Sequence, residues 1–237
     1  MATSFAKASA AGALVSQRAY LPVVLNMRGR TALIVGGGPA AADKAAYLAD
    51  FGIHPTVLAE PDAAVDESLQ ALADSGQAEL RRTPYDPSLL EGHALVIIAT
   101  GDRAHDRGIA EDARSRGAIV NVVDDPDVCD VFAVGYVRRG PVAVSVSTGG
   151  RSPAFTAALR EHLDDMLGSD IEQHLEHYVR WRERVRDAVS GFGSREQLWR
   201  ELRAAGLYKV LLRDGPEAAS RLVDAAIARH QADGPDS

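Results

Sequence analysis

Apolar positions follow two rhythms along this chain. Up to about Val123, short continuous apolar runs alternate with helical patterns; beyond Pro126 the period becomes first two-residue and then helical. Thr31 to Val35 (TALIV) leads into Gly36-Gly37-Gly38 and then PAAADKAAYLADFG, which reads as a buried strand, a glycine turn and a helix closed at Gly52. His54 to Ala59 supplies a second strand. Ala94 to Ala99 (ALVIIA) is the unbroken apolar run of a central parallel strand. Arg103 to Arg116 follows as a helix in spite of Gly108, and Ala118 to Val123 as another strand. Strands alternating with helices predict right-handed crossovers and a doubly wound parallel sheet of the α/β class.

After Pro126, two period-2 runs, Val131 to Arg138 and Pro141 to Ser147, read as a hairpin joined at Arg139-Gly140. An isolated hairpin is marginal, so these strands are expected to pair with the first sheet or with a second subunit, and a homodimer is predicted. From Pro153 the pattern is helical throughout. Ser169 with Glu172, and Ser194 with Gln197, have capping-box spacing; Gly206 suits a helix end and Pro216 a helix start. The expected organisation is a disordered extension over 1–20, a nucleotide-binding domain over 21–126, a dimerisation hairpin and loop over 127–152, a helical domain over 153–230 and a disordered tail over 231–237.

Charge and composition narrow the function classes. A net charge of −7 argues against a general nucleic-acid binder, which needs a concentrated basic surface. The single cysteine, Cys129, excludes a disulfide framework within the chain and fits a reducing cytoplasm; it reads as a small, partly buried apolar residue. No apolar run reaches the roughly 18 to 20 residues of a membrane helix. The stretch Ala8 to Val15, with Lys7 before it, is too weakly hydrophobic for a secretory signal, and a cytoplasmic protein is expected.

The glycine turn carries the first chemical signal. Gly36, Gly37 and Gly38, followed by Pro39 and Ala40, stand between strand and helix, with Ala41 in the third small-residue slot of a G-x-G-x-x-G/A fingerprint. Glycine there admits a pyrophosphate to the backbone, where helix N-terminal amides meet its charge. Glu60 ends the second strand at the distance where a carboxylate accepts from the adenosine ribose hydroxyls; it would repel a 2′-phosphate, so NAD is predicted over NADP. The unit reads as a Rossmann domain.

Further stretches carry a resemblance. The turn continues as GGGPAAADKA with Lys44 on the helix, the last parallel strand ends in NVVDDP (Asn121 to Pro126), and the hairpin ends in STGGRSP (Ser147 to Pro153). In this order, from about Leu21 to Leu167, the chain resembles the precorrin-2 dehydrogenase and sirohydrochlorin ferrochelatase family, the module found alone or fused in siroheme synthases. The methyltransferase domain of the fused forms is not expected in 237 residues.

The resemblance implies NAD-dependent oxidation of precorrin-2 to sirohydrochlorin and, in some members, insertion of ferrous iron to give siroheme. It makes Asp124 the catalytic residue and sets Thr100, Gly101 and Asn121 beside the cofactor, with Asp102 equally suited to capping the next helix. An acidic protein acting on a polycarboxylate tetrapyrrole must gather cations locally; Lys44, Arg138, Arg139, Arg151 and Arg160 are the candidates. Ser147, Thr148, Gly149 and Gly150 form a loop expected at the substrate. Three positions depart from the family pattern: Val131, Val134 and Asp106. A non-catalytic NAD- or tetrapyrrole-binding regulatory protein on the same fold is the alternative. His174 and His177 with Glu172 and Glu176 read as a solvated helix face, and no stable metal site is expected.

Overall fold

The computed structural model describes residues 20–149 and 151–232. The expected extension, apart from Tyr20, Gly150 of the candidate loop, and most of the expected tail lie outside the described residues. The chain forms two compact units that meet in sequence at Ala133 and Val134.

The first unit is a parallel sheet with helices. Its elements are β1 (Thr31–Val35), α1 (Pro39–Asp50), β2 (Thr56–Ala59), α2 (Glu67–Asp74), β3 (Glu79–Arg82), β4 (His93–Ile98), α3 (Arg103–Ser115) and β5 (Ile119–Val122). The strand order is β3-β2-β1-β4-β5, every pair parallel. The direction of travel reverses between β1 and β4, which opens a crevice at the strands' C-terminal ends, the usual ligand position in such sheets. Alternate residues of the buried strands feed opposite layers. Leu33, Val35, Val96, Ile98, Val120 and Val122 pack with Ile109, Ala110 and Ala113 of α3. Ala32, Ile34, Val57, Leu95 and Ile97 pack with Ala41, Ala42, Ala45 and Leu48 of α1 and Leu69 of α2. Each fully buried Val, Leu or Ile contributes about 1.5–3 kcal/mol relative to exposure. The alanines of α1 bring that helix's start close to the sheet, beside the glycine turn.

β5 is an edge strand, and the chain covers it itself. The Asp130 amide donates to the Val120 carbonyl at 2.8 Å, while the Asp130 carboxylate accepts from the Val120 amide at 3.0 Å and pairs with Arg114 at 3.1 Å. Asn121 donates its side-chain amide to the Val131 carbonyl at 2.8 Å. The first hairpin strand is therefore shorter than its apolar pattern predicts: Val131 lies along β5 and packs into the core of the first unit.

In the second unit, β6 (Gly135–Arg139) and β7 (Val142–Val146) form an antiparallel hairpin. The turn is Gly140-Pro141, one residue later than expected, with Gly140 at φ 52° in the first central position of a two-residue loop. The helices α4 (Pro153–Met166), α5 (Ile171–Ala188), α6 (Phe192–Ala204) and α7 (Leu207–Ala232) follow. α7 breaks at Gly215, and Pro216 opens its second segment. Trp181, Val185, Leu198, Leu202, Leu207, Leu211 and Val223 form the core of α5 to α7.

Neither capping box forms. Asp170, not Ser169, precedes α5 and makes no side-chain cap, its carboxylate being paired with His174, and Glu172 lies against the Gly140 turn. α6 already starts at Phe192 after Gly191 (φ 82°), which puts Ser194 inside the helix. α7 continues through Ala232, two residues into the expected tail.

Candidate active site

The three glycines of the turn do different work. Gly36, at φ 130°, donates its amide to the Leu58 carbonyl at 2.8 Å, and a Cβ there would sit on the Ala99 carbonyl, so no other residue fits between β1 and β4. Gly37 packs against Ala59 and Val65 and accepts at its carbonyl from the Asp66 amide at 2.9 Å. Gly38 is extended, its Cβ direction opens onto nothing within 4 Å, and no side chain caps α1 after it. Pro39 and Ala40 form the first turn of α1, whose dipole and free amides suit an anion. Space, uncapped amides and a close backbone together fit a dinucleotide pyrophosphate.

Glu60 stands exposed just past β2, and one of its carboxylate oxygens accepts from the Tyr85 amide at 3.3 Å. Arg82 fastens the loop after β2 by donating to the Ala63 carbonyl at 3.1 Å, so Glu60 and the Gly37 turn are held as one surface. Tyr85 is itself fixed: its hydroxyl donates to Asp112 at 3.1 Å and its ring meets His105 edge-on. Burial, then the Asp112 hydrogen bond, push its phenol well above the ordinary tyrosine range.

At the end of β4, Thr100 donates its hydroxyl to Asp106, a carboxylate only 3% exposed. Gly101 follows at φ 85°, and Asp102 caps α3 by accepting from the amides of Ala104 and His105 at 3.0 and 3.1 Å. Asp106, a departure from the family pattern, thus orients Thr100.

Past β5 the chain turns over Val122 to Asp125. Asp124 lies exposed in this turn at φ 60°, the one non-glycine residue at positive φ among the described residues, and its carboxylate has no partner among them. Asp125 is the opposite: buried, it accepts from Arg103 at 3.1 and 3.0 Å and from Arg107 at 2.6 and 3.2 Å. Hydrogen bonds from Arg107 and then Arg103 hold its carboxyl well below the usual carboxylate range. Sequence reasoning missed this clamp. Its signal is two arginines one helical turn apart at the start of α3, with paired aspartates after the next strand. Asn121 spends its side-chain amide on Val131 and on Cys129, at 2.8 and 3.5 Å, so its donor serves the covering segment. Cys129 is turned inward, its thiol against Val122 and the Asp125 carbonyl, and burial raises its pKa.

Lys44 is half-buried on α1 and has no partner among the described residues. The other candidates belong to the second unit. Arg138 donates to the Gly140 carbonyl at 2.9 Å, and Arg139 pairs with Asp164 at 2.7 Å. Ser147 accepts from the Gly149 amide at 3.2 Å, Thr148 shares a hydrogen bond with Thr156, and Ser152 caps α4 by accepting from Phe155. Arg151 and Arg160 are exposed on and beyond that loop. His174 is paired with Asp170 and His177 with Arg180 and Trp181, so the two histidines face separate partners. Among the described residues no three His, Cys, Asp or Glu side chains converge, and no helix is long and apolar enough to cross a membrane.

Comparison with known proteins places these observations. An NAD(P)-binding family model matches residues 23–135, and the model for the central part of sirohaem biosynthesis proteins matches residues 139–166. The siroheme synthase of Methylococcus capsulatus is 37% identical over 210 residues, covering 88% of this chain and 44% of the relative. That of Pseudomonas aeruginosa strain UCBPP-PA14 is 34% identical over 209 residues, with the same coverage of 88% and 44%. That of Escherichia coli O1:K1 is 37% identical over 183 residues, 77% of this chain and 39% of the relative. The chain thus spans less than half the length of these relatives. The solved structure of SirC, a precorrin-2 dehydrogenase, superposes with a TM-score of 0.64 over 86% of this chain and 98% of that one, at 20% identity, and so shares the fold. Both models are met in succession, and over most of its length this chain is similar to the NAD(P)-binding and central parts of siroheme synthases.

Proposed function

We propose that this protein oxidises precorrin-2 to sirohydrochlorin with NAD, and that sirohydrochlorin then accepts ferrous iron as a second substrate. The observation that carries the reading is the exposed, unpartnered Asp124, held at positive φ just past β5 on the crevice edge of the sheet. A carboxylate spent on an ion pair takes a proton less readily, whereas this one is free to accept from a bound substrate. Bound NAD supplies the hydride acceptor. Gly36, Gly37 and Gly38 with Pro39 would leave room for its pyrophosphate and the free α1 amides from Ala40 onward would meet its charge, Glu60 would take the ribose hydroxyls and exclude a 2′-phosphate, and Thr100 and Gly101 would border the nicotinamide half. Asp124 accepts the proton released as conjugation of the macrocycle extends. In metal insertion the same carboxylate takes pyrrole protons.

Lys44, Arg138, Arg151 and the loop Ser147 to Gly150 are proposed to bind the substrate's carboxylates. A homodimer fits the second unit by itself: α4 buries none of its residues, and Phe155 and Met166 on it are 60% and 67% exposed. The lone inward-turned Cys129 suits a reducing cytoplasm.

The test is an anaerobic spectroscopic assay of the purified protein with precorrin-2 and NAD, followed by ferrous iron with sirohydrochlorin. NAD-dependent appearance of sirohydrochlorin supports the dehydrogenase, and siroheme formation above the uncatalysed rate supports insertion. No turnover with NAD bound would refute the reading.

A further inference from the structure

We propose that Asp125, gripped by Arg103 and Arg107, is the positioning residue that holds Asp124 in its left-handed turn. The inference rests on the reading of Asp124 given above. A left-handed backbone is disfavoured for an L-residue, and aspartate tolerates it without requiring it. The turn itself is weakly closed, since the Asp125 amide reaches the Val122 carbonyl at 3.4 Å. Something beyond the turn must therefore keep it there.

The neighbouring side chain does so. Asp125 precedes the short 3-10 turn Pro126–Val128, where an aspartate ordinarily accepts from the amides that follow, yet it makes no such cap. Its carboxylate is directed instead into α3, only 2% exposed, and takes four hydrogen bonds from two guanidinium forks. One arginine would neutralise it. The second adds a surplus positive charge, and buried ionic clusters of this kind seldom stabilise more than apolar packing would, so geometry is the better account. The anchor is also well chosen. α3 is the helix whose first turn carries the Asp102 cap and the Asp106 partner of Thr100, so the clamp ties the end of β5 to the end of β4. Asp124 is set in register with the crevice by residues that do not themselves react.

The experiment compares wild type with Asp125→Asn. Expected are a fall in kcat with precorrin-2 of about 10- to 100-fold, as small displacements of reacting groups produce, with the NAD dissociation constant and binding stoichiometry within twofold of wild type. A crystal structure of the variant is expected to show Asp124 returned to negative φ. Retention of positive φ, or a loss of turnover matched by an equal loss of NAD-binding stoichiometry, overturns the proposal. Arg103→Gln and Arg107→Gln, each keeping one fork, carry the same readouts if Asp125→Asn does not fold. Should wild type not oxidise precorrin-2, the functional reading fails, while the Asp124 conformation still decides the positioning claim.

Discussion

Gly38→Ala separates the glycine that builds the turn from the glycine that admits a ligand. Gly38 has φ −82° and ψ −174°, an extended conformation open to alanine, and its added methyl meets nothing within 4 Å. Replacing glycine stiffens the unfolded chain, a gain of about 0.4–1 kcal/mol, and loses a similar amount because alanine is a poor helix N-cap. The two offset to within about 1 kcal/mol, and at this chain length the free protein should melt within about 3 °C of wild type. On the proposed assignment, the same methyl would occupy the space the pyrophosphate enters. Losing a charge-assisted hydrogen bond costs about 1.5–3 kcal/mol, so the NAD dissociation constant should rise about 10- to 100-fold. Thermal unfolding without ligand and titration calorimetry with NAD make the comparison. An affinity within twofold of wild type, or a ligand-free melting temperature lower by more than about 5 °C, would refute the assignment of Gly38 to the ligand.

Gly36→Ala should do the reverse: strain at φ 130° and the collision with Ala99 together cost more than about 2 kcal/mol, which circular dichroism melting would register as a loss of about 5 °C or more without ligand. The Asp125 clamp has an acid signature. Its folded carboxyl is depressed below the ordinary 3.8, so its contribution is complete above that pH and is lost as pH falls below it. The melting-temperature gap between wild type and Asp125→Asn should therefore be flat above pH 4 to 5 and close toward lower pH; a constant gap contradicts the ion cluster. The Cys129 thiol, turned inward with its pKa raised by burial, should react with an aromatic disulfide reagent at pH 8 at least about tenfold more slowly than a free thiol until the protein is unfolded.

What was legible in the chain was whatever burial on both faces writes as a continuous apolar run. β1, β4 and β5 are of this kind, and the glycine turn is local chemistry that needs no partner. β3 escaped because ELRR is an edge strand with its charges outward and only Leu80 partly covered, and α2 because it buries Leu69 alone. Val131 misled for the opposite reason, since an apolar residue covering a sheet edge looks like a strand residue. The capping boxes failed because the Ser-x-x-Glu spacing is indifferent to tertiary contacts, and Glu172 is claimed by the hairpin turn. At the candidate site, Asp124 is put forward by the resemblance. Its neighbour's grip by Arg103 and Arg107 was not, since it joins residues 18 and 22 positions apart through a turn whose left-handed conformation no local pattern announces.

The covering of β5 by Cys129 to Val131 bears on solubility. Both of Val120's backbone polar groups are taken by Asp130, one through its main chain and one through its carboxylate, so that margin of the sheet has no free hydrogen-bonding row to offer. The opposite margin, β3, presents Glu79, Arg81 and Arg82 to solvent. Both borders are thereby blunted against templating an additional strand from a crowded neighbour, the event by which open sheets seed insoluble aggregates during folding. Asp130, which takes no part in the proposed chemistry, is where that protection would first be lost.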